Sequence, residues 1–149
     1  MEILVVNTSL DWASRNPQFE DRRLTRFLTD HGHHAHDVPI PMVGAVSSSA
    51  LALGLLPYAT YGDALLGLGH RAVFASHPHK LVVVDEEVID AFVGLTADDH
   101  SQLGAGLDEC AGLVATSAAV ATFLEQHTSA PVDVIVDGTG LLARLDQCR

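Results

Sequence analysis

Short runs of aliphatic residues, each closed by polar ones, constrain this chain more than anything else it contains. Glu2-Ile3-Leu4-Val5-Val6 runs into Asn7-Thr8-Ser9, and Leu81-Val82-Val83-Val84 runs into Asp85-Glu86-Glu87. Such runs lack the alternation of a half-exposed strand, so they read as strands buried on both faces, as in a parallel sheet. Helical spacing fills much of the chain between them. After a loop over residues 10–18, Leu24, Phe27 and Leu28 share one face, and Gly32 stands where a left-handed cap residue would stop that helix. A short strand through residues 35–38 follows, broken by Pro39 and Pro41. Residues 50–56 and 64–68 read as helices separated by Pro57, and 71–76 as another strand. Residues 86–92 read as a helical turn or an irregular connection. Thr96-Ala97-Asp98-Asp99 has the form of a capping box opening a helix with Leu103, Leu107 and Cys110 on one face. Leu113 to Ala115 reads as a strand, Ser117 as the cap of a helix over 118–127, residues 132–136 as a last strand, and 141–145 as an amphipathic tail.

Strands alternating with helices predict one α/β domain over residues 1–149, Rossmann-like, with a mostly parallel sheet covered by helices on both faces. Its length suits a single core. Nineteen acids against eight basic residues give a formal charge of −11, which would repel phosphate backbones and argues against nucleic-acid partners. The uncharged stretch 38–62 contains Pro39, Pro41, Pro57 and three serines, so no membrane span is expected. The first residues lack a basic start and a small-residue cleavage site, which suggests the cytoplasm. Two cysteines, Cys110 and Cys148, are too few for a disulfide framework.

Ligands of open α/β sheets bind beyond the carboxyl ends of strands, so strand-end residues are the first candidates. Ser76-His77-Pro78-His79 would follow a strand, and a histidine near neutrality can accept a proton. The plain alternative is a solvated turn held by Pro78. Asp85, Glu86, Glu87 and Asp90 form a carboxylate cluster that could take hydroxyls, bind a cation, or simply start a helix. Ser117 would present free helix amides to a ligand or only cap them. Asp30-His31-Gly32-His33-His34-Ala35-His36-Asp37 could in principle hold zinc, but exposed turn histidines are the expected reading, with no metal and no cofactor. Cys110 is expected to be a packing residue. No P-loop, GxSxG, HExxH or GxGxxG is present.

The order of these pieces resembles the N-terminal domain of GT-B glycosyltransferases of the family 4-like type. Ile3 to Asn7 and Arg23-Leu24-Thr25-Arg26-Phe27-Leu28-Thr29-Asp30-His31-Gly32-His33 are similar to its opening strand and its "L-x-x-x-G-H" helix end. Val82-Val83-Val84-Asp85 is similar to its "v-v-y-D" strand end. Cys110-Ala111-Gly112-Leu113-Val114-Ala115-Thr116-Ser117 is similar to "a-D-l-v-v-a-x-S", and Pro131 to Gly138 to "p-v-x-v-i-p-N/D-G". The loop 7–18 lacks the glycines that many members carry, and the last strand end lacks the family's following aspartate. The resemblance implies an acceptor-side domain transferring a sugar from a nucleotide sugar, at a cleft shared with a separate donor-binding subunit or C-terminal domain, which residues 1–149 do not supply. It implies that His77, His79 and Asp85 face the reaction, and that Asn7, Thr8, Ser9, Glu86, Ser117, Asp137 and Gly138 line the binding side, the last two at the interdomain hinge. The contrasting expectation is a non-catalytic Rossmann-like binding or regulatory module, pairing with a second copy through residues 42–61 or the tail. A third, a small hydrolase or transferase using the histidines and a metal, would be recognised by a co-purifying transition metal.

Overall fold

A computed structural model describes residues 1–38 and 48–147. Among these described residues, six strands form one sheet in the order β2-β1-β3-β4-β5-β6. They are β1 (Glu2–Asn7), β2 (His34–Asp37), β3 (Ala64–Leu68), β4 (Lys80–Val84), β5 (Gly112–Ala115) and β6 (Val132–Val134), and every pairing is parallel. The helices are α1 (Trp12–Arg15), α2 (Asp21–Asp30), α3 (Ser48–Leu55), α4 (Glu87–Val93), α5 (Ala97–Asp108), α6 (Ala118–Glu125) and α7 (Gly138–Asp146). The chain is therefore an α/β domain of Rossmann-like architecture. Among the described residues, no helix is long and apolar enough to cross a membrane.

Alternation along the strands divides the core between two faces. Ile3, Val5, Leu66, Leu68, Leu81 and Val83 pack on one side against Trp12, Phe19, Leu24, Leu28, Leu141 and Leu145. Their neighbours Val82 and Val84 point the other way, onto Val88, Leu103, Leu107, Val120 and Leu124, and Leu4 and Val6 meet Leu51 and Leu55 of α3. The chain steps from β1 to β2 in one direction and then travels back across the sheet. With right-handed crossovers, that reversal puts α2 and α3 on opposite faces. Local signals agree with the boundaries: Thr96 Oγ1 accepts from the Asp99 amide at 3.3 Å, Ser117 Oγ from Val120 at 3.3 Å, and Gly32 has φ +87°.

Two expected elements are corrected. Residues 64–68 are not a helix but β3, a central strand with all five residues buried. Residues 71–76 are not a strand: His70–Phe74 form a 3-10 helix that carries the chain back to start β4. Ala64-Leu65-Leu66-Gly67-Leu68 lacks β-branched residues and carries good helix formers, but its place between two strands overrides that propensity. Gly67 is what lets the 3-10 turn lie close, since a β-carbon there would collide with the Ala72 methyl. The expected breaks at Pro39 and Pro41, and part of the apolar stretch from residue 42, lie outside the described residues.

Candidate site at the carboxyl ends of the central strands

The chain reverses direction between β1 and β3, and a crevice opens beyond the carboxyl ends of strands at such a switch point. A cleft of about 280 Å³ lies there, lined by Thr8, Ser9, Leu10, Asp11, Arg15, Arg71 and Glu87. Its walls are the loops after β1, β3 and β4.

The loops are tied to one another from the strands outward. The Thr8 amide and the Thr8 hydroxyl both donate to the Leu68 carbonyl, each at 2.9 Å, joining the end of β1 to the end of β3. Asn7 Oδ1 accepts from the Ser9 amide at 2.9 Å and turns the chain. Gly69 has φ +96°, and a β-carbon on it would stand 2.8 Å from Thr8 Oγ1, so glycine is required by both conformation and space. Trp12 is completely buried beneath the loop, with its indole N–H donating to the Phe19 carbonyl at 2.9 Å.

Asp85 sits at the end of β4, only 2% exposed, and holds the next segment of the loop. Its Oδ2 accepts from Arg15 Nε at 2.8 Å and from Asn16 Nδ2 at 2.9 Å, and its Oδ1 from the Glu87 amide at 3.2 Å. Arg15 also donates to Ser9 Oγ at 2.8 Å and pairs with Glu87, whose Oε2 accepts from Ser9 Oγ at 3.2 Å. Burial of Arg15 works against its charge, but the hydrogen bond and charge of Asp85, with Glu87 and Asp11, outweigh it and raise the guanidinium above its ordinary range. Asp85 is therefore a positioning residue, while Ser9, Arg15 and Glu87 face the opening.

Arg71 completes the wall from the β3 side, with His70 behind it in the 3-10 turn. His70 is 92% buried by its 8% exposure, and burial lowers its imidazole below the ordinary value, Glu87 opposing and Arg71 adding to the effect. Glu86 lies one strand over, accepting from Ser117 Oγ at 3.1 Å at the start of α6. Asp137 caps α7 at the edge strand β6, its Oδ1 accepting from Gly140 at 2.9 Å, and Gly138 packs under the Phe27 ring. The structure thus brings Asn7, Thr8, Ser9 and Asp85 to one crevice, with Glu86 and Ser117 beside it and Asp137 and Gly138 at a distance.

His77 and His79 are elsewhere. Because 71–76 is not a strand, the two histidines precede β4 and lie at the amino end of the sheet, where the His79 carbonyl accepts from the Leu65 amide at 3.1 Å. His77 Nδ1 accepts from the His79 amide at 3.0 Å, which leaves Nε2 to donate to the Tyr61 carbonyl at 3.1 Å. Cys110, hydrogen bonded to the Gly106 carbonyl, has its thiol pushed up to about 12 by burial and is no nucleophile. Among the described residues, no three His, Cys, Asp or Glu side chains gather in a way that could hold a metal ion. Sequence reasoning missed Arg15, Asn16, His70 and Arg71; reading 64–68 as a strand would have made Gly69-His70-Arg71 a strand end. No family model matches this chain, and no curated protein matches it significantly.

Proposed function

We propose that this chain is an acceptor-side, glycosyltransferase-like domain whose switch-point cleft binds a sugar or glycosylated acceptor, with transfer requiring a separate donor-binding domain or subunit. The observation that carries the reading is the Ser9, Arg15 and Glu87 array held over the strand ends by buried Asp85. A hydroxyl, a guanidinium fork and a carboxylate side by side offer the alternating donors and acceptors that vicinal sugar hydroxyls need. Support for a docked second domain comes from the edge strand and the residues just after it, where Val134 and Val136 are 50% and 63% exposed.

The second reading, a binding module that pairs with its own copy, draws on the exposed Leu53 and Leu56 of the α3 region. Amide chemical shifts of the isotopically labelled chain, recorded while neutral mono- and disaccharides are added, test the first. Shifts confined to residues 8–11, 69–71 and 85–87 are expected. A panel that moves none of these amides, from a chain that sediments as a dimer, would favour the second.

A further inference from the structure

Within an acidic chain, the cleft wall and the residue beside it carry two polar side chains that the protein itself does not use. Arg71 is half-buried in the wall, and among the described residues it takes part in no ion pair or side-chain hydrogen bond. His70, next to it, is more than nine-tenths buried, and among the described residues its ring has no hydrogen-bond partner. Its charged surroundings are Glu87, Arg71, Asp85 and Arg15, the residues that build the cleft. Among the described residues no fully buried side-chain nitrogen or oxygen lacks a partner, so the ring nitrogens of His70 and the guanidinium of Arg71 are open to solvent, where a ligand can take the place of water. Arg15 is different: its Nε and Nη2 are already engaged by Asp85, Ser9 and Glu87, so it does not present an open fork to an anion.

We propose that the cleft takes a hydroxylated ligand bearing a single carboxylate or phosphate, the anion on Arg71 and its hydroxyls on Ser9, Glu87 and His70. The inference rests on the sugar-binding reading and narrows its substrate class. A guanidinium fork matches either anion in a bidentate way. Asp11, Asp85 and Glu87 against Arg15 and Arg71 leave the site one negative charge, three acids less two arginines. Selection for the anion therefore comes from the free fork and not from a positive field, and a pyrophosphate, with its larger charge, is disfavoured.

Calorimetric titration of the full chain with glucose and galactose, their uronic acids, their 6-phosphates and uridine diphosphate tests this. At least one acidic sugar is expected to bind tenfold or more tightly than its neutral parent, the size of a charge-assisted hydrogen bond, and uridine diphosphate more weakly than that sugar. Whether the uronic acids or the phosphates show the gain identifies the anion. Arg71→Gln should erase the preference for the acidic sugar, whereas Arg22→Gln, an exposed change on α2, should not alter it. When the same sugars are added to the chain in an NMR titration, the ring resonances of His70 should move and those of His77 should not. Equal affinity for acidic and neutral sugars, or a preference that survives Arg71→Gln, overturns the inference and leaves the sugar-binding reading standing. Absence of binding by every sugar overturns both.

Discussion

The two ends of the sheet both bury polar side chains, and they use them in opposite ways. At the amino end, Lys80 is 1% exposed and its ammonium donates to the carbonyls of Val73 at 2.6 Å and Ala75 at 2.9 Å, with Glu109 at 3.8 Å. His77 joins Tyr61 to His79 in the same region. Those groups are spent inside the chain: they fasten the 3-10 turn and the loop after it to β4. At the carboxyl end, Asp85 is spent in the same manner, but His70 and Arg71 beside it are left over. A buried charge by itself therefore signals architecture. The signal for a ligand is a mostly buried or half-buried side chain whose polar atoms are left open to solvent.

Removing Lys80 should give the largest effect. Lys80→Met keeps the apolar stem and leaves two buried carbonyls without a donor, each costing about 1–3 kcal/mol, so unfolding in urea should lose about 2–6 kcal/mol. Ligand binding by the folded fraction should be unchanged, because the anchor is at the far end. A loss of stability below about 1 kcal/mol would break the contrast between the two ends. Asp85→Ala should come next, about 2–4 kcal/mol, since it strips the buried partner from Arg15 and Asn16. Unlike Lys80→Met, it should also abolish sugar-induced shifts at residues 8–11, because Arg15 and the β1 loop lose their anchor. Sugar binding that survives in folded Asp85→Ala would detach the cleft from its support.

The sheet's interior was legible where residue type and position agree. Ile3 to Val6, Leu81 to Val84 and Leu113 to Ala115 are aliphatic and flanked by polar residues, and burial on both faces leaves no other place for them. Ala64 to Leu68 was not legible, because its strand state is imposed by β1 and β4 on either side rather than by its own residues. That single element decided the site. Reading the strand one segment too late moved the strand end from Gly69 to Ser76, which promoted His77 and His79 and hid His70 and Arg71. Asp85 was recognisable at its strand end, but its partners Arg15 and Asn16 are about seventy residues away and come to it only through the fold.

Gly69→Ala sharpens the comparison at smaller cost. The positive φ and the approach of Thr8 Oγ1 to 2.8 Å should together destabilise the chain by about 1–2 kcal/mol, and pushing the β1 and β3 loops apart should weaken ligand binding more than Lys80→Met does.

The smallest effect is one of pH, and it is shared by both ends. Burial lowers the imidazoles of His70 and His77 below the ordinary value of 6.5, so the unfolded chain binds more protons than the folded one as the solution turns acid. Stability should then be fully present above about pH 6.5 and fall as pH drops through and below that value. Denaturation midpoints between pH 7.5 and about 5 would show this, and His70→Gln and His77→Gln should each flatten the slope in part. The two sites separate when a sugar acid is added. Its anion sits on Arg71, the residue next to His70, and favours the charged ring, so the ligand should cancel the contribution of His70 to the slope and leave that of His77 intact. If the ligand flattens the slope equally in wild type and in His70→Gln, the anion is not beside His70, and the distinction between a spent end and an open end fails at its most specific point.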